Sequence, residues 1–205
     1  MNDLLRTAGG GGLINGLLGG DAGGVLVSAL TSRKGRKYAG KALTIGGVAA
    51  LGGLSYKAYQ QYQRGRSDRP QIPRSDFDVT GASSSGYRGM LLVRSMISAA
   101  MAVGHVNDRE RAEMLERMTQ LGLTPSERAA LDYEFQHPAS TIQLAAAVND
   151  IPTAVAVYLA SLVAIDPDCI AGKRHLSQLA TLLGLPQALI GTLDAAVESR
   201  ERTAA

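Results

Sequence analysis

Through the carboxy-terminal part of the chain, apolar positions recur at helical spacing, and no stretch alternates as a strand would. From Tyr87 to Val103 the apolar positions Met90, Leu91, Leu92, Met96 and Ile97 predict a helix that Gly104 ends. Asn107 can cap the next, with Glu110 three residues on in capping-box position, and Met114, Leu115, Met118 and Leu121 form its buried stripe before Gly122. Thr124-Pro125-Ser126-Glu127 is a third start, with Thr at the N-cap, Pro at the first helical position and Glu at the third; this helix runs toward Gln136, ahead of Pro138. A short helix follows from Ser140 to Val148. Asp150 and Pro152 open another, through Val155, Val157, Leu159, Leu162 and Ile165. The last two span Ile170 to Leu183, ended by Gly184, and Pro186 to Glu201. Seven helices joined by short connections predict a compact all-α bundle over residues 87–205, long enough to bury its own core.

The pattern also repeats. Leu121-Gly122-Leu123 matches Leu183-Gly184-Leu185 at an offset of 62 residues. The same offset pairs Val103 with Ile165, Asn107 with Cys169 and Glu110 with Gly172, so the bundle is expected to have a pseudo-twofold repeat.

The amino-terminal part differs in kind. Residues 1–56 hold 15 of the 24 glycines. Residues 1–74 carry 11 Lys and Arg against 3 Asp and Glu, whereas residues 75–205 carry 10 against 15. A basic arm is thus joined to an acidic body, and the pI near 9.1 describes neither part. One apolar stretch runs from Leu4 to Leu30, broken by Arg6, Asn15 and Asp21; a second, Ala42 to Tyr56, contains no charge. Extended to residues 39–59, with Lys41 and Lys57 snorkelling, the second reaches the length needed to span a bilayer. Tyr56, Tyr59 and Tyr62 beside Lys57, Arg64, Arg66 and Arg69 are the residue types a membrane–water interface favours. Gly12, Gly16, Gly20 and Gly24 recur every four residues, and Ala42, Gly46 and Ala50, with Gly47 alongside, repeat the spacing. On a helix such a stripe lets another helix approach closely. The arm (residues 1–64) is therefore expected to meet membrane lipid and to self-associate into a homo-oligomer. Residues 65–86, dense in Pro, Ser, Gly and charge, read as a linker.

Met96 to Leu123 and Tyr158 to Leu185 resemble the TerB-like tellurite-resistance superfamily, and more closely its YebE-type inner-membrane branch, which also has a glycine-rich arm. The resemblance covers most of the chain; Tyr-Leu-Ala-Ser-Leu and Ala-Ile-Asp-Pro-Asp are its strongest parts. It implies an all-helical domain, envelope association at the bacterial inner membrane and no established enzyme activity. TerB-like domains commonly carry an Asp-Gly-x-Ile-Asp-x-x-Glu turn whose acids can hold a cation. Here Val103 stands at the first Asp, Gly104 remains, Asn107 replaces the second Asp and Glu110 survives. In the other half Asp166 and Asp168 are present, but Gly172 stands where an acid is expected. Hard cations need about six oxygen ligands, and Glu110, Asp166, Asp168 and Asp108 supply few. Glu110 is expected to cap a helix and the two aspartates to sit in a turn, with no metal and no cofactor.

Other chemistry finds little support. His105, His137 and His175 lack metal-ligand spacing, and the glycine runs contain no phosphate-loop motif. Cys169 is the lone cysteine, so no intramolecular disulfide forms. Asp3, the single early cation Arg6 and the diluting glycines are not the pattern of a cleavable secretory signal. Basic stretches with interleaved tyrosines can bind single-stranded nucleic acid, but the acidic folded domain opposes it. The expected function is a non-enzymatic, membrane-associated interaction module with an unidentified protein partner. A divalent-cation-binding domain with a degenerate acidic site is the alternative.

Overall fold

The computed structural model describes residues 30, 49–64, 71–78, 85–104, 106–120, 124–165 and 169–198. These form eight α-helices and one 3-10 turn, with no strand among the described residues. The helices are α1 (Ala49–Gln63), α2 (Ser85–Ala102), α3 (Asp108–Gln120), α4 (Pro125–Gln136), α5 (Thr141–Ala146), α6 (Ile151–Ala164), α7 (Ile170–Leu182) and α8 (Gln187–Glu198); the 3-10 turn is Arg74–Phe77. All seven helices expected after residue 87 are present.

Local chemistry sets their ends. Thr124 and Glu127 form a reciprocal capping box at α4, and Ser140 and Gln143 form another at α5. The Asp150 carboxylate accepts the Thr153 N–H at 2.7 Å and starts α6, with Pro152 in its first turn. At the end of α7, Gly184 takes φ +64°, the Leu185 N–H donates to the Ala180 carbonyl and the Gly184 N–H donates to that of Thr181. That is a Schellman C-cap, and it accounts for Leu-Gly-Leu at this position.

The 62-residue offset holds at the level of elements. Asp108–Gln120 maps onto Ile170–Leu182, and Pro125–Gln136 onto Gln187–Glu198, while α2 and α6 end at Ala102 and Ala164. The corresponding helices α2 and α6 pack against each other at the centre. In α6, 13 of its 14 residues are buried. A helix apolar on every side must be surrounded, and α6 is flanked by α1, α2, α7 and α8.

The amino-terminal expectations need correction where residues are described. Residues 49–59 of the expected membrane segment belong to α1, which lies across α6 and α8. Leu51, Leu54, Ala58, Tyr59 and Tyr62 are buried in the same core as α2 and α6, and so is Leu30. Tyr59 and Tyr62 are therefore interior residues, each 4% exposed, and Tyr56 is half-buried against the same core. The physical reason is the stripe 51-54-55-58-59-62: it is a helix face, and the apolar surfaces of α6 and α8 are there to cover it. Lys57 is exposed on the opposite side. The boundary drawn at residue 64 thus divides a single core. Within the expected linker, the 3-10 turn buries Phe77 against Tyr56 and Tyr59, with ring centroids 5.6 and 5.4 Å apart. No helix among the described residues is long and apolar enough to cross a membrane. Gly12, Gly16, Gly20, Gly24, Lys41, Gly46, Gly47, Asp166 and Asp168 lie outside the described residues.

Candidate functional site

Glu110 is occupied. Its carboxylate accepts the Asn107 N–H at 3.0 Å, while its own N–H donates to Asn107 Oδ1 at 3.0 Å, completing the capping box of α3. Asp108 faces solvent and pairs with Arg111 at 3.5 Å. Among the described residues no group of three or more His, Cys, Asp or Glu is placed to hold a metal ion. In the second half the equivalent cap is Cys169, whose Sγ accepts the Gly172 N–H at 3.1 Å. The thiol therefore plays at α7 the part that the Asn107 amide plays at α3.

Polar chemistry concentrates instead where helices meet. Arg88 Nη2 pairs with Asp150 at 2.9 Å, and Arg88 Nη1 donates to the Asp76 carbonyl. One guanidinium thus ties the 3-10 turn, α2 and α6 together. Burial alone would raise the Asp150 carboxyl; hydrogen bonds from Thr153 and the charge of Arg88 outweigh it and hold the group below its ordinary value. Arg94 and Glu134 pair at 2.9 Å between α2 and α4, with Glu134 nearly buried, and Ser98 donates to the Ala139 carbonyl at 2.6 Å. Tyr158, at the centre of α6, has its phenol pushed well above the ordinary range by burial and by the nearby Asp194 carboxylate of α8. On the surface of α4 the Tyr133 and His137 rings stack at 4.4 Å.

Lys57 and Ala50 are the remaining expected anchor and small-residue positions that are described; Lys57 points to solvent and Ala50 is half-buried against the core. Among the described residues, the sequence candidates are not gathered into a catalytic constellation. Inter-helix ion pairs stand there instead, and the pair Arg88–Asp150 had a signal in the sequence, since its members stand one repeat apart.

A family model described as "Protein of unknown function (DUF533)" matches residues 16–197. The chain belongs to the DUF533 family. The match takes in α1 together with both repeated halves, so the DUF533 unit includes the first helix and does not begin at α2. No curated protein and no solved structure matches the chain significantly.

Proposed function

We propose that this DUF533 protein is a membrane-associated interaction module of the bacterial envelope, built on a TerB-like helical domain whose halves are related by a pseudo-twofold axis. The observation that carries the reading is the burial of α1 across α6 and α8. It joins the glycine-rich basic arm directly to the folded domain, so that whatever the arm binds is held close to the helical surface. With α1 occupied, contact with lipid falls to the residues ahead of it, where the apolar and cationic stretches alternate. The four-residue glycine spacing supports self-association of that arm. The TerB-like assignment rests on the resemblance of residues 96–123 and 158–185 and on the 62-residue helix register.

Fractionation tests it. Full-length protein is expected to need detergent for extraction, with carbonate insufficient, whereas a chain beginning at Ala49 is expected to be soluble and to melt cooperatively, at a lower temperature for want of the buried Leu30. Carbonate release of the full-length protein overturns the membrane reading. Gly47→Leu, in the small-residue stripe, is expected to reduce crosslinked oligomer; an unchanged crosslinking pattern removes the self-association.

A further inference from the structure

His175 is buried in α7, 7% exposed, and among the described residues its Nε2 has no hydrogen-bond partner. The helix packs against α2, α5 and α6. Buried imidazoles ordinarily use both ring nitrogens or sit beside a carboxylate. Here the surrounding elements offer none. The sequences of α2, α5, α6 and α7 contain no Asp and no Glu. Their charged or titratable groups are Tyr87, Arg88 and Arg94 on α2, Tyr158 on α6, and Lys173 and Arg174 on α7 itself. Arg88 and Arg94 are taken by Asp150 and Glu134, and among the described residues the nearest acid by connection, Asp150, is the N-cap of α6. An imidazolium at this position would be a buried charge that no carboxylate of α2, α5, α6 or α7 faces.

We propose that His175 makes α7 an acid-sensitive element: protonation releases α7, with the short helix α5, from the central pair α2–α6. The outer side of α7 supports a local release over a global one, because Ala171, Lys173, Arg174, Ser177, Gln178, Thr181 and Leu182 face solvent and only one side of the helix is held. α5 has six residues and little independent stability, so it goes with its partner. Burial holds the imidazole below its ordinary value of 6.5. Above 6.5 the docked and released forms are both neutral and pH has no effect. Below it the released form takes up a proton that the docked form refuses, and the docked form loses ground until pH reaches the lowered native value. Within that window the released fraction grows about tenfold for each pH unit.

The test is amide hydrogen exchange on the full-length protein, read as protection factors so that the intrinsic pH dependence of exchange is removed. Protection in α7 and α5 is expected to fall about tenfold per pH unit below neutrality, with α6 and α2 unchanged. His175→Phe and His175→Gln, neither of which can take up a proton, are expected to flatten the response. Undiminished protection of α7 on acidification overturns the proposal. So does a pH response that persists in both variants, or one that spreads equally to α2 and α6. Should His175→Phe fail to fold, His175→Gln and the wild-type profile decide the matter alone.

Discussion

Arg88 and Asp150 stand 62 residues apart in the chain and 2.9 Å apart in space. The separation is that of the repeat, so the pair joins matching positions at the amino-terminal ends of the two central helices. Asp150 does two jobs there: one carboxylate oxygen caps α6 and the other receives Arg88. Asp150→Ala removes both, and the lost cap alone is expected to cost about 1 kcal/mol. Asp150→Asn keeps a capping acceptor and is expected to cost less. Because the native carboxyl is held below its usual 3.8, its contribution is complete above that value and disappears as pH falls through the lowered one. Urea titrations of wild type and Asp150→Asn should therefore converge in acid; parallel curves would show that the carboxylate contributes nothing.

Gly184 and Gly191 give opposite signs for the same change. At Gly184 φ is +64°, so Gly184→Ala meets open space but a disfavoured backbone, and a loss of about 1 kcal/mol is expected. Gly191 lies inside α8, and an added Cβ there would meet nothing within 4 Å, so Gly191→Ala is expected to stabilise by about 0.5–1 kcal/mol. Thermal melts of the two variants should shift in opposite directions.

Leu51 is fully buried on α1. Leu51→Ala is expected to destabilise the whole domain by about 2–5 kcal/mol, because it opens a cavity in the shared core. An unmoved unfolding transition would mean that α1 is not part of the cooperative unit.

Ser55, also on α1, is fully buried, and its hydroxyl has no hydrogen-bond partner among the described residues. Ser55→Ala removes a desolvated polar atom at almost no cost in volume, and a gain of about 1 kcal/mol is expected. Denaturant midpoints measure this, and a loss of stability would reveal a hydrogen bond to water or backbone at that hydroxyl.

Most of the helical domain was legible because its boundaries are written in local chemistry. The Thr124–Glu127 box, the Asp150 cap and Gly184 each act within a few residues, and all lie where the sequence places them. The 62-residue spacing of Leu-Gly-Leu likewise anticipated the helix register. The fate of α1 was not legible. Its alternation of small, apolar and aromatic residues suits a bilayer interface and a protein core equally, since both favour the same side chains on one face. Only the presence of α6 and α8 decides between them, and that is a long-range fact. Phe77 was missed for the same reason: a single aromatic in a polar stretch has no periodicity, and its partners Tyr56 and Tyr59 lie some twenty residues earlier. Of the acidic candidates, Glu110 spends its carboxylate on the helix that it starts, and Asp166 and Asp168 lie outside the described residues.

The matched register also bears on ancestry. Two copies of one half-length unit, each with its leading helix laid against the other's, would form a homodimer with an isologous interface. Joining them end to end removes the demand that one surface complement itself. Each half can then diverge: a thiol replaces an amide at the cap of α7, and α6 becomes apolar on every side where α2 keeps its arginines. α1 packs on α6 and α8 of the second half, so the first helix sets the two halves apart.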